Sequence, residues 1–365
     1  MSSDIVIVIV VATALVFDFT NGFHDTANVV ATSISTHAMP PRVAVGYAAI
    51  LNFAGAFISL AVAATVAKDV VDAGAITPTV VFAGLVGAIA WNLATWYFGL
   101  PSSSSHALIG GVVGSTFAAA GPDAVFASGL VGKVLIPAVV AFVLAFVVGV
   151  LAINIVYAIV GRERPGPVTR GFRLGQVLSG GMLALAHGTN DAQKTMGVIT
   201  LALIANGSLS ESAGVPFWVV VSAATAIALG TYIGGWRIIR TMGTRIIKMD
   251  SAQGFSAQGA GAAVILASSH YGFPLSTTQV ISGGVMGAGA GKRVSAVRWG
   301  VAGNIVVAWL LTLPAAAVVG AAVYGFCTLF GSGAAGPVIV SVLGVVATAS
   351  VFAMRARQVE PAPAG

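Results

Sequence analysis

The chain has 365 residues, 57% of them hydrophobic and 8% charged. A soluble domain carries about 25% charged residues, so this composition excludes a protein with a water-facing surface all round. The formal charge of +6 would suit nucleic acid or another acidic partner, but its distribution along the chain assigns it to loops instead, and the single cysteine, Cys327, excludes an internal disulfide framework.

Apolar runs near 20 residues match the roughly 30 Å hydrocarbon core of a bilayer. Many such runs in one chain predict spanning helices rather than a barrel. In chain order, residues 4–36 form an apolar segment interrupted at Asn21-Gly22. It lacks the basic start of a signal peptide and reads as a retained first span. Residues 43–66 and Pro78–Phe98 are plain helices, 101–120 is rich in serine and glycine, and 125–160 is a long helix. A polar linker with proline, 161–171, follows. Residues 172–206 are apolar but interrupted at Gly188-Thr189-Asn190. Then come helices over 215–239 and 257–270, a second serine-, threonine- and glycine-rich stretch over 274–291, and helices over 295–323 and 335–354. The tail, 355–365, reads as disordered. The 46 glycines suit close packing of membrane helices.

Two motifs recur in the same order. Gly22-Phe23-His24-Asp25 parallels Gly188-Thr189-Asn190-Asp191 at an offset of 166. Pro101-Ser102-Ser103-Ser104-Ser105-His106 parallels Pro274-Leu275-Ser276-Thr277-Thr278-Gln279 at an offset of 173, and a glycine pair follows each. The chain thus divides into a first membrane repeat (1–160), a short cytoplasmic linker (161–172), a second membrane repeat (173–323) and an added C-terminal helix (335–354). With five crossings per repeat and one at the end, fourteen of the 17 basic residues fall in loops on one side. These include Arg42, Arg162, Arg173, Arg240, Lys248, Lys292 and Arg298, whereas Asp69, Asp72, Asp123 and Glu211 fall on the other side with Lys68. This is the positive-inside pattern. An odd number of crossings makes the second repeat enter from the opposite face. The expected fold is an all-α polytopic membrane protein. It has two inverted-topology repeats, interrupted or re-entrant helices, and about ten to twelve transmembrane segments.

Charged groups at the centre of a membrane helix cost about 2.5–3.5 kcal/mol each or more, so those present mark function. Asp25 and Asp191 hold matching positions, each beside a glycine. Asn21, His24 and Asn28 flank the first; Asn190, Gln193 and Lys194 flank the second. Carboxylates with amide oxygens and freed carbonyls make a hard-cation site. A purely structural hydrogen-bond network is the competing reading, and an expensive one for a symmetric pair of charges. Asp18 is either interfacial or a neighbour of that site. The hydroxyls Ser103, Ser104 and Ser105, and Ser276, Thr277 and Thr278, each follow a proline that suits a helix start. A helix N-terminus offers free N–H groups and partial positive charge to an anion. Capping alone would also explain hydroxyls there. Lys194 serves either the anion or Asp191. For His106, His187 and His270 a packing role outweighs proton relay. The tryptophans read as interface anchors.

The stretches Asn21-Gly-Phe-His-Asp-Thr-Ala-Asn28, Ala186-His-Gly-Thr-Asn-Asp-Ala-Gln-Lys194 and Trp91 through His106 resemble the inorganic phosphate transporter (PiT) family, especially its bacterial low-affinity members. The resemblance covers both repeats and implies secondary symport of phosphate with H+ or Na+, or of a metal–phosphate complex carrying Mg2+, by alternating access. It implies that Asp25, Asn28, Asn190 and Asp191 form the cation and phosphate site and that the hydroxyl clusters cradle phosphate; with their flanking residues, Asn21 and His24 are expected to join Asp25, Asn190 and Asp191 at the cation, and Lys194 to join Asn28 and the hydroxyls at phosphate. His24 stands where sodium-coupled members carry asparagine, which points toward protons. The implied setting is a prokaryotic cell membrane, with phosphate, the coupling cation and lipid as partners, no cofactor, no nucleic acid, and a homodimer left open. A sulfate permease of the same family is the alternative, and an ion channel a weaker one. No nucleophile–base or metal-ligand spacing favours a membrane enzyme.

Overall fold

The computed structural model describes residues 2–66, 70–210, 212–331 and 333–358. The first element, α1 (Ser2–Ser35), is one unbroken helix. The expected interruption at Asn21-Gly22 is therefore absent. So is the one at Gly188–Asn190, because α8 (Pro165–Ala205) also runs straight through. The reason is packing. A Cβ at Gly22 would collide with the backbone carbonyl of Ile227, and one at Gly188 with that of Asn52. Both glycines let a neighbouring backbone approach, and neither breaks its helix.

Breaks occur elsewhere. The run 43–66, expected as one helix, is split into α2 (Pro41–Gly55) and α3 (Ala61–Val66). The run 215–239 is split into α9 (Phe217–Ile233) and α10 (Trp236–Arg240), which bends into a π turn over Thr241–Arg245. The two pieces meet at 60°. Gly234, with φ of +76°, ends α9, and Gly235 sits against the Phe23 carbonyl of α1. The polar linker is shorter than expected, since residues 165–171 already belong to α8 with Pro165 opening it.

Helix α4 (Pro78–Phe98) starts where predicted, capped by Thr77, and ends at Gly99. It folds back on α5 (Ser104–Ala120). A short helical turn, α6 (Ala127–Gly129), passes through a π segment into α7 (Ile136–Val160). In the second half, α11 (Ser251–His270) folds back on α12 (Thr277–Lys292). The chain continues with α13 (Trp299–Thr328) and α14 (Ala335–Gln358). Pro101 and Pro274 lie two residues before their helix caps, Ser103 and Ser276, rather than at the first helical position. Helix α14 carries the backbone through residue 358, part of the stretch expected to be disordered. Residues 359–365, Lys68, Asp69 and Glu211 lie outside the described residues.

Packing relations come in exchanged pairs. Helix α1 lies against α9 as α8 lies against α2, and α5 lies against α13 as α12 lies against α7. The glycines show the same exchange: Gly110 and Gly114 meet the backbone of Leu313 and Ala317, and Gly283 and Gly287 meet that of Phe142 and Phe146. Two apolar clusters result. One joins Val10 and Phe17 of α1 to Met196 and Ile199 of α8, with Leu85 and Leu108. The other joins Val29 and Val30 of α1 to Leu183 and Ala186 of α8, with Ile265 and Val280. Polar residues occupy the middle of α1 and α8, between the clusters.

Among the described residues four helices are long and apolar enough to cross a membrane: Asp4–Ser35, Pro78–Phe98, Ala127–Val160 and Trp299–Thr328. The bent α9–α10 pair is a fifth. Length and hydropathy alone do not reach ten to twelve segments, because α2, α5 and α12 are short and α8 and α11 are rich in polar residues. Helices α7 and α13 turn Val139, Val143, Leu151, Ile155, Leu310 and Val318 outward. Their inner faces carry small residues, Ala141, Ala145 and Gly149, and Ala316 and Gly320, as membrane helix contacts do. One end of the bundle gathers Arg173, Lys248 and Arg298 around a pocket with Thr36 and His37. At the other, the segments holding Asp72 and Asp123 are joined by a Val71–Val125 bridge.

Candidate functional site

Because α1 is continuous, Asp18, Asn21, Asp25 and Asn28 form a stripe on one helix face. Helix α8 carries His187, Asp191 and Lys194 at the last two of these spacings. All seven are buried, and so are the hydroxyl clusters. The two stripes face each other. One carboxylate oxygen each of Asp25 and Asp191, with one His187 nitrogen, lie within 4.8 Å of one another.

The hydroxyls come from two helix N-termini. Ser103 Oγ accepts from the His106 N–H at 3.1 Å and Ser276 Oγ from the Gln279 N–H at 3.4 Å, so these two serve as caps. The residues just after them face the carboxylates. Ser104 Oγ donates to Asp25 Oδ2 at 2.7 Å. Its counterpart, Thr277, lies 3.1 Å from Asp191 Oδ2 and 3.4 Å from Asp25 Oδ2. Thr278 Oγ1 lies 3.4 Å from Asp25 Oδ1 and accepts from Asn28 Nδ2 at 2.9 Å.

Two helix positions reach across the halves. Asn28 of α1 meets Thr278 of α12, and Lys194 of α8 meets Ser105 of α5 at 2.6 Å. Lys194 Nζ also donates to Asp191 Oδ1 and to the Leu275 carbonyl at 2.7 Å. All three ammonium protons are thereby engaged.

The remaining predicted residues take supporting places. His24 Nδ1 lies 2.6 Å from Asp25 Oδ1, and its Nε2 lies 3.2 Å from Thr95 Oγ1 and 3.3 Å from Ser102 Oγ, at the α4–α5 turn. Asn190, at the equivalent position, turns to the α11–α12 turn, donating to Ser269 Oγ at 2.9 Å and the Phe273 carbonyl at 3.4 Å. It does not reach either carboxylate in this conformation. Gln193 accepts from Val62 N–H at 2.8 Å and so holds the start of α3. Asp18 is fully buried inside the bundle, on the same helix face as Asn21 and Asp25.

Sequence reasoning undervalued His187. Its Nε2 lies 3.1 Å from Asp191 Oδ2, and its Nδ1 is 3.2 Å from Asn52 Oδ1. The signal was the four-residue spacing to Asp191, which is meaningful only on an unbroken helix. The Leu275 carbonyl, an acceptor for both Lys194 and Ser105, has no sequence signal at all.

An all-helical bundle with an apolar exterior and a polar, charged centre between two equivalent halves is the architecture of a membrane transporter. The chain belongs to the phosphate transporter family, whose model matches it twice, over residues 21–170 and 162–320. It is therefore a multi-pass membrane transporter and not an enzyme. It is 57% identical over 326 residues to a probable low-affinity inorganic phosphate transporter of Mycobacterium bovis, covering 89% of this chain and 78% of that one. A protein of the same description from Mycobacterium leprae is 54% identical over 97% of this chain and 85% of its own length. One from Bacillus subtilis is 44% identical over 88% and 96%. A solved structure described as the sodium-dependent phosphate transporter shares the fold, with a TM-score of 0.81 at 23% identity over 89% of this chain and 99% of that one.

Proposed function

We propose that this chain takes up inorganic phosphate by symport with a cation, H+ or Na+, through alternating access. The observation that carries the reading is the meeting of Asp25 and Asp191 with hydroxyls from two helix N-termini, Ser104 and Thr277, in one buried centre. The helix ends and hydroxyls supply neutral donors and partial positive charge for an anion. The carboxylates supply acceptors for the cation. Anion and cation then neutralise each other inside a low-dielectric core, where either alone is costly.

The carboxylates also favour phosphate over sulfate. Hydrogen phosphate carries a proton that a carboxylate accepts, whereas sulfate carries none and meets only repulsion.

Alternating access needs two arrangements of nearly equal energy, which inverted repeats supply. The inverted reading is supported by the way α1 and α8 pass each other. Thr36, at the end of α1, bonds Gln176, early in α8, at 2.9 Å. Val10 and Phe17, early in α1, share a cluster with Met196 and Ile199, late in α8. Equivalent helices thus run in opposite directions. A second form of the cargo is phosphate bound to a divalent cation such as Mg2+, whose charge the buried Asp25 carboxylate would take up.

Uptake of radiolabelled phosphate and sulfate into proteoliposomes, under imposed proton or sodium gradients, tests the proposal. The expected result is gradient-driven phosphate accumulation with little sulfate. Equal sulfate uptake, or phosphate flux indifferent to both gradients, would contradict it.

A further inference from the structure

The two halves differ at one decisive place. The offset that pairs Asp25 with Asp191 pairs Asn28 with Lys194. A neutral amide in the first half is matched by a full positive charge in the second. The surroundings of that charge are those of a bound ion. Lys194 Nζ is held by a carboxylate oxygen of Asp191, the hydroxyl of Ser105 at 2.6 Å and the peptide carbonyl of Leu275 at 2.7 Å. Carboxylate, hydroxyl and carbonyl oxygens are the ligand classes of a hard cation. They come from three elements, α8, α5 and the turn before α12, as ligands of a bound ion would. The side chain is buried, and its three protons are spent on these three oxygens.

From this geometry we infer that the Lys194 ammonium is a tethered substitute for a transported cation at the second-half site. The inference rests on the symport reading above. A mobile cation cannot enter beside Asp191 without displacing the ammonium, and like charges in a buried site exclude one another. Coupling by mobile cations is therefore confined to the Asp25–Asn28 half. A tethered charge returns with the protein, so each cycle carries one mobile cation fewer than a site with amides at both positions. The same bonds leave Lys194 no proton to offer an anion in this conformation.

The test is Lys194→Asn, which copies the first half into the second. The ratio of cations to phosphate is measured in proteoliposomes from the gradient that just halts net flux, so the answer does not depend on which cation couples. Wild-type phosphate uptake, measured alongside, decides the symport reading by itself. Given that uptake, K194N should move one more cation per phosphate than wild type, while Lys194→Arg, which keeps the charge, should keep the wild-type ratio. K194N that transports at the wild-type ratio, or that merely binds phosphate more weakly with coupling unchanged, would overturn the inference. Should K194N not transport, the purified protein gives the answer through its melting temperature. With Lys194 in place, Asp25→Asn should remove the whole stabilisation by the coupling cation, a response of about 3 °C in wild type at a cation concentration of about one hundred times its Kd. A cation response that survives in D25N would equally overturn it.

Discussion

Asp25 and Asp191 meet at a single hydroxyl. Thr277 Oγ1 lies 3.4 Å from Asp25 Oδ2 and 3.1 Å from Asp191 Oδ2. A hydroxyl has one proton, so it serves only one carboxylate at a time. The two carboxylates therefore compete for that one donor, and a cation bound at Asp25 leaves it to Asp191.

That relationship bears on affinity. Ser104→Ala and Thr277→Ala each remove one donor at a charged site, worth about 1.5–3 kcal/mol. Phosphate affinity should fall roughly ten- to hundredfold, since about 1.4 kcal/mol is a factor of ten. Thr277→Ser should restore most of it. The concentration dependence of initial uptake rates measures this, and unchanged affinity in both alanine variants would reduce the hydroxyls to structural groups.

The glycines of α1 and α8 bear on stability. A Cβ at Gly188 meets the Asn52 carbonyl, so Gly188→Ala forces two backbones apart. Overpacking of this kind costs about 1–3 kcal/mol. Gly300, where a Cβ meets nothing within 4 Å, is the control. The melting temperature should drop in G188A and hold or rise in Gly300→Ala. Equal melting temperatures would mean that the close approach at Gly188 is relaxed at little cost.

Outside the spans, Asp250 caps α11. Its Oδ1 accepts from the Gln253 N–H at 2.8 Å, and its Oδ2 lies 2.9 Å from both Lys292 Nζ and the Tyr157 hydroxyl. Burial alone would raise its carboxyl, but these donors hold it below the usual carboxylate range. A depressed folded value means the stabilisation is complete above the unfolded pKa, about 3.9, and is lost as pH falls through the folded value. Asp250→Ala should therefore cost about 1 kcal/mol, by the same amount from pH 5 to 8. A penalty that changes across that window would assign the effect to another group.

Orientation is open to direct labelling. With Cys327→Ser as background, Thr169→Cys and Ser210→Cys should react with an impermeant thiol reagent from opposite sides of the membrane. Thr169 lies by the basic pocket at one bundle end, and Ser210 is exposed in the segment after α8. Reaction from the same side would remove the inverted arrangement.

Much of this was legible in the residues. Composition and runs of apolar residues gave the helices, and the 78–98 helix has the predicted bounds. The duplicated motifs placed Asp25, Asp191 and both hydroxyl clusters, because buried charge is too costly to be incidental. Two things were hidden. Glycine reads alike whether it breaks a helix or admits a neighbour, and only the position of Ile227 and Asn52 separates the two. Reading Gly188 as a break then concealed the helical spacing of His187, Asp191 and Lys194. Side-chain direction was hidden as well: Asn190 follows its motif but points to Ser269.

The central claim is that Asp25 and Asp191 form one cation-coupled phosphate site. Phosphate uptake into proteoliposomes under an imposed cation gradient, comparing wild type with Asp25→Asn and Asp191→Asn, tests it most directly. The account predicts gradient-driven accumulation in wild type and none in either variant, with both variants still inserted and monodisperse. Accumulation near the wild-type rate in both variants would contradict it.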